Sequence, residues 1–165
     1  MKEIILGLVS RHRRRGILVD TNLLLLYFIG LFDLSHIQRF KRTSQFTPED
    51  HSTLARVLGL FDQVMTTPNV LTEVSNLSGQ LGEPMRSAYF EVFSRWLCLL
   101  DERYTASSLS AQAEHFVPLG LTDAGIMGLA ASGFLVLTED FRLAQRLQKI
   151  GADVINFNHL RPLAY

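Results

Sequence analysis

A single cysteine among 165 residues excludes an intrachain disulfide and any zinc site built on cysteine thiolates. That cysteine, Cys98, lies in the apolar run Trp96-Leu97-Cys98-Leu99-Leu100, which predicts a buried thiol rather than a nucleophile. So little cysteine fits a reducing cytoplasm. Long apolar runs are missing too. Ile4 to Val9 is too short for a signal-peptide core and has its arginines on the wrong side. Leu23 to Phe32 is too short to span a bilayer, so a soluble protein without a membrane partner is expected. Net charge is absent: 16 bases balance 16 acids, and no global field argues for or against a nucleic-acid partner. The histidines His12, His36, His51, His115 and His159 show neither metal-ligand spacing nor a paired nucleophile. They are expected at the surface or the edge of the core. Neither Ser-His-Asp hydrolysis nor a glycine-rich phosphate loop has support. There is no internal repeat, low-complexity tract or linker.

What is present describes an ordinary globular chain, 47% hydrophobic and 19% charged, long enough to bury a substantial core. The spacing predicts one domain over residues 1–165 with a short helical extension over 1–15. Ile17-Leu18-Val19 has no polar alternation, as a central parallel strand buried on both faces requires. From Leu23 onward the chain is apolar all round, consistent with a buried helix or a longer strand running into one. Asp33 is expected to cap a short helix through Phe40. Thr47-Pro48-Glu49-Asp50 starts a helix expected to reach about Phe61. Gln63 to Thr67 reads as a strand stopped by Pro68, with Asn69 capping a helix that carries Glu73 and ends near Gly79. Pro84 opens an amphipathic helix through Trp96, Asp101 to Thr105 is ambiguous, and a helix is expected from Leu109 to His115. In the last third, Thr122 is expected to cap a helix over Ala124 to Ala131. A strand over Phe134 to Leu137, a helix over Phe141 to Ile150 and a strand at Val154-Ile155 follow. Alternation of this kind predicts an α/β fold, a three-layer α/β/α sandwich around a central, mainly parallel sheet.

Asp20, Glu73, Asp123 and Asp140 all fall where a strand has just ended or a helix begins. Each acid alone has an ordinary explanation as a helix cap or first-turn partner of the helix dipole. Their joint occurrence is harder to explain that way. Ligands of open α/β sheets collect beyond the carboxyl ends of the strands. Carboxylates gathered there repel one another unless a cation lies between them, and hard oxygen ligands suit Mg²⁺ or Mn²⁺.

The segments Ile17-Leu18-Val19-Asp20-Thr21-Asn22, Thr67-Pro68-Asn69-Val70-Leu71-Thr72-Glu73, Leu121-Thr122-Asp123-Ala124-Gly125-Ile126 and Leu137-Thr138-Glu139-Asp140-Phe141 resemble, in order, the motifs of the PIN-domain ribonucleases. The resemblance spans position 17 to about 157. It implies a compact α/β/α fold and Mg²⁺- or Mn²⁺-dependent hydrolysis of RNA phosphodiesters. By match, Asp20, Glu73, Asp123 and Asp140 inherit the catalytic and metal-binding roles, with Asn22 and Thr138 as supporting polar residues. Asp20 and Asp123 are the expected direct ligands; Asp140 is a direct or water-mediated one, and Glu73 a ligand or water positioner. Glu139 matches less well and is expected to face solvent. Many members of the family are toxins held by an antitoxin protein, and many form homodimers; no residue pattern here bears on either partner. Two stretches depart from the family's pattern: Leu34 to Thr47, which is longer, and the arginine-rich leader.

Thirteen of the 16 basic residues are arginine, and Arg11-His12-Arg13-Arg14-Arg15 concentrates four of them. Arginine is the better bidentate phosphate ligand, so Arg13, Arg14, Arg15, Arg39, Lys41 and Arg42 are candidates for RNA contact. A solvated helix end offers the run an equally good explanation. Two other functions stay open. One is a non-catalytic PIN-like module that binds RNA or protein. The other is a phosphatase or transferase with Asp20 as nucleophile, although the haloacid-dehalogenase pattern needs an acid where Asn22 stands.

Overall fold

A computed structural model describes residues 2–161. Five short strands form one all-parallel sheet: β1 (Ile17–Val19), β2 (Val64–Thr66), β3 (Asp101–Glu102), β4 (Leu135–Thr138) and β5 (Val154–Asn156), in the order β3-β2-β1-β4-β5. Ile17 pairs with Val64 on one side and with Leu135 on the other, so β1 is the central strand. Every residue of β1 and β4 is buried, which explains the apolar runs Ile17–Val19 and Leu135 to Leu137. Helices cover both faces, completing a three-layer α/β/α sandwich. Helices α2 (Thr21–Phe32), α3 (Pro48–Leu58), α4 (Pro68–Ser78) and α5 (Met85–Leu97) pack together, α2 against each of the others, on the face that the right-handed crossover rule assigns them. The last two long helices, α7 (Phe116–Ala131) and α8 (Phe141–Lys149), belong to the other. The remaining helices are α1 (Lys2–His12), which precedes β1, and the short α6 (Ser107–Ala111).

Helix α2 is apolar all round because it is enclosed, packing against α3, α4 and α5 as well as the sheet. Its Gly30 lies under the ring of His51, where a Cβ would come within 2.1 Å of an imidazole carbon. On the outer side of α2, Phe28 packs edge-on to Phe93 and stacks on Trp96, and Tyr89 stacks on Phe93. The aromatic residues of α5, spaced to share one helix face, thus close the core on this side.

Several expected boundaries move. Thr67, not Asn69, caps α4: its hydroxyl accepts from Val70 N, and Pro68 takes the first helical position, where a missing N–H costs nothing. Asp33 caps only a 3₁₀ turn, Leu34–His36, and α3 stops at Leu58. The ambiguous stretch supplies edge strand β3, two residues long and too short to leave a periodic signal. Thr122 is no cap, because α7 begins earlier and kinks at Gly120 (φ 77°, ψ −175°) before resuming. Cys98 is exposed: it follows α5 on the side turned from the core, despite apolar neighbours. His12 and His51 are buried at the core edge. Among the described residues, no helix is long and apolar enough to cross a membrane.

Candidate functional site

In a sheet of order 3-2-1-4-5, the strands on either side of the central switch send their following helices to opposite faces, and a crevice opens beyond their carboxyl ends. Here those strands are β1 and β4. Asp20 directly follows β1; Glu139 and Asp140 directly follow β4. The crevice therefore receives its acids from the two strands that flank it.

Asp20 is the anchor. It is 6% exposed, and its oxygens meet three donors. Oδ1 accepts from Leu23 N at 3.1 Å, capping α2. Oδ2 accepts from the Thr138 hydroxyl and, at 3.2 Å, from Glu139 N. No cation pairs with it among the described residues. Burial, with a smaller push from the Glu139 carboxylate, raises its pKa to about 7 against the lowering effect of those hydrogen bonds. Thr138, also buried, accepts from Asp140 N at 3.0 Å and so links Asp20 to the start of α8.

Glu73 spans the crevice from α4. Its Oε2 accepts from the Thr21 hydroxyl at 2.9 Å and its Oε1 from the Thr122 hydroxyl at 2.5 Å. One carboxylate thereby ties the start of α2 to α7, where Asp123 is the next residue. Burial raises the pKa of Asp123 to about 6, and the Asp140 and Glu73 carboxylates add to the rise. Asp140 is exposed and caps α8, its Oδ1 accepting from Arg142 N at 2.6 Å and Leu143 N at 3.2 Å. All four expected acids thus stand at one edge of the sheet, in two electrostatic groups: Asp20 feels Glu139, and Asp123 feels Asp140 and Glu73.

Glu139 does not face open solvent as expected. It is partly buried, and its Oε1 accepts from Asn22 Nδ2 at 3.0 Å and Gln45 Nε2 at 3.4 Å. Its carbonyl accepts from Asn158 Nδ2 at 2.7 Å. Asn22 therefore supports Glu139, and the Leu34 to Thr47 insertion reaches the site through Gln45. Thr21, Thr122, Gln45 and Asn158 are not among the site residues expected from sequence. Thr21 and Thr122, each adjacent to an expected acid, carried a signal; Gln45 and Asn158 carried none.

The basic candidates lie elsewhere. Arg13, Arg14 and Arg15 precede β1, at the sheet edge opposite the acids. Arg13 pairs with Asp62 at 3.5 Å, and Arg15 donates to the Ser132 carbonyl at 2.8 Å and lies over the Phe134 ring. Their neighbour Arg11 pairs with Asp153 at 2.8 Å. The run serves mainly to fasten the end of α1 and the loop after it. Arg39 and Lys41 line a cavity beside the end of α4, and Arg42 donates to Gln80 there at 2.9 Å. Gln80 stands seven residues beyond Glu73, about 10 Å along the helix direction.

Comparison with protein-family models, with curated proteins and with solved structures finds no match. What the site can do rests on its chemistry. Among the described residues, no three Asp, Glu, His or Cys side chains already stand in a coordinating arrangement. The reason is visible: Glu73 is held by two threonines, and Asp140 is turned onto the amides of its own helix. The donor set nevertheless fits a hard divalent cation. Asp20 and Asp123 are carboxylates whose ionisation burial and like charge oppose, and a cation would relieve both.

Proposed function

We propose that this protein is a metal-dependent endoribonuclease that hydrolyses RNA phosphodiester bonds. The observation that carries the reading is the gathering of Asp20, Glu73, Asp123 and Asp140 at the sheet edge beyond β1 and β4, where burial opposes the ionisation of Asp20 and Asp123. The ordered resemblance to PIN-domain nucleases supports the same chemistry. Asp20 and Asp123 would hold Mg²⁺ or Mn²⁺, with Asp140 and Glu73 as further ligands or partners of ordered water. When bound, such an ion supplies Lewis acidity and charge neutralisation for in-line attack of water on phosphorus. The oxygen of water bonds to phosphorus as the water gives up a proton, the bond to the leaving ribose oxygen breaks, and that oxygen takes up a proton.

The protein's own part is positioning. Thr138 and the Glu139 amide fix Asp20 Oδ2, Thr21 and Thr122 fix Glu73, and Asn22 fixes Glu139. Asp20, Glu73 and Glu139 thus enter the site with their orientation set by neutral donors rather than by a competing cation. The test is cleavage of labelled RNA with Mn²⁺. Chelation, or Asp20→Asn, is expected to remove at least about two orders of magnitude of rate, the usual loss when an electrostatic element of a site is deleted. Undiminished cleavage by Asp20→Asn would end the proposal. The resemblance extends it to a toxin restrained by an antitoxin. Growth arrest on induced expression, relieved by the same substitution, is the check.

A second reading has one observation in its favour: Glu73 and Asp140 are already engaged by protein donors. A non-catalytic RNA- or protein-binding module would keep them so. Titration calorimetry showing no Mn²⁺ binding, with RNA binding intact, would select it.

A further inference from the structure

The cations nearest the acids in the chain are not those singled out by composition. Helix α8 starts at the acidic crevice and carries Arg142, Gln145, Arg146 and Lys149 at helical spacing on one face. With His115 and Ile150 they line a cavity of about 250 Å³. None of the three cations has a carboxylate partner among the described residues, unlike Arg11, Arg13, Arg86, Arg103 and Arg161.

Helix stability explains only part of this pattern. Arg146 and Lys149 lie in the last turn, where cations complement the helix dipole. Arg142 does not. It occupies the first turn, two residues after the cap Asp140, where the dipole repels a cation. A positive side chain there, unpaired and facing a cavity, is accounted for by an anion that comes from outside. Position points to the same end: Asp140 acts electrostatically on Asp123, so the cationic face begins within one helical turn of the acid cluster.

We infer that this α8 groove is the track for the phosphodiester backbone of a single-stranded nucleic acid, leading away from the acidic crevice. Arg142 and Lys149 are seven residues apart, a rise of about 10 Å. That span lets the three cations meet successive phosphates of one strand. Gln145 and His115 add hydrogen-bonding groups without adding fixed charge. The acidic crevice repels phosphate unless a cation fills it, so the groove would hold the strand at a flank while the scissile phosphate lies over the acids. The track rests on the RNA reading for its biological substrate, but its geometry stands on α8 alone.

The probe is a short fluorescein-labelled single-stranded oligoribonucleotide, followed by fluorescence anisotropy in EDTA so that no cleavage occurs. The variant combines Arg142→Gln, Arg146→Gln and Lys149→Gln, all on a solvent-facing surface, with its thermal melt recorded to show that it folds. Loss of three phosphate contacts is expected to make the plot of log affinity against log salt shallower by about 2, and to weaken binding at low salt at least about tenfold. Arg13→Gln with Arg14→Gln, at the opposite sheet edge, is expected to leave both unchanged. Should the triple variant not fold, Arg142→Gln alone is expected to lower the slope by about 0.7. Competition by single-stranded DNA equal to that by RNA supports a backbone track blind to the sugar. Equal competition by polyglutamate at matched charge overturns it in favour of an acidic protein partner. Wild-type protein that fails to bind the oligoribonucleotide, or a folded variant with unchanged slope, also overturns it. Cleavage with Mn²⁺ by a variant whose binding is unimpaired removes the groove and spares the nuclease. Binding through α8 with no cleavage removes the nuclease and spares the groove.

Discussion

Replacing Asp20 by asparagine is expected to stabilise the metal-free protein at neutral pH, although it removes a residue at the centre of the site. Burial pushes the carboxyl from its ordinary 3.8 up to about 7 in the folded protein. At ~1.4 kcal/mol per unit, ionised Asp20 costs the folded state about 4 kcal/mol once the pH is above 7. The sign follows from proton uptake. Between pH 4 and 7 the folded state holds a proton that the unfolded state has released, so stability falls as pH rises through that window. Asparagine carries no charge to desolvate, but one of its two side-chain atoms is a donor. It cannot accept from Leu23 N, the Thr138 hydroxyl and Glu139 N together. The unmatched group costs about 2 kcal/mol. Above pH 7 the variant should therefore be more stable by about 2 kcal/mol, raising Tm by roughly 4–8 °C in a chain of this size. Below pH 4 that advantage should be gone, since wild-type Asp20 is then neutral as well and no charge is left to desolvate. His51, whose pKa burial lowers, weakens the fold as pH falls below its unfolded value, but it does so in both proteins and cancels in the difference. Thermal unfolding of the two proteins in EDTA across this range measures that difference. Saturating Mn²⁺ should raise the wild-type Tm and leave the variant's nearly unmoved. A variant less stable than wild type by the same amount at every pH would refute the reasoning, because Asp20 would then act only as a hydrogen-bond acceptor.

Two further perturbations test the scaffold. Gly30→Ala would ordinarily favour a helix by up to about 1 kcal/mol. Here the new methyl meets the His51 ring at 2.1 Å, so a net loss of about 1–3 kcal/mol is expected by chemical denaturation. Arg161→Ala removes a bidentate partner of Asp50, whose oxygens receive Nε and Nη2 at 2.9 Å each. Asp50 is 4% exposed and completes the capping box of α3. Leaving it buried without that cation should cost about 3 kcal/mol. Because Arg161 also donates to the Gln45 carbonyl at 3.4 Å, the same variant is expected to loosen Gln45 and its contact with Glu139. Faster amide hydrogen exchange at residues 44–50 would report it.

The alternation of apolar runs and caps in the chain was enough to specify an α/β sandwich, because a strand buried on both faces has no polar residues to spare. Ile17-Leu18-Val19 and Leu135 to Leu137 are legible for that reason alone. Asp20 and Asp140 were legible too, since residues after parallel strands are confined to one edge of the sheet whatever the strand order. Strand order itself is a long-range property. Only the folded arrangement puts β1 beside β4, and with them Asp20 beside Thr138 and Glu139. Side-chain direction likewise waited on packing: Glu139 turns inward because Asn22 and Gln45 offer it donors, and Cys98 turns outward because α5 spends its inner face on aromatic rings. The basic residues illustrate the same division. Composition drew attention to Arg13, Arg14 and Arg15, which stand at the sheet edge opposite the acids. The cations of α8, sparse in sequence, form a continuous face because a helix turn brings every third and fourth residue into line.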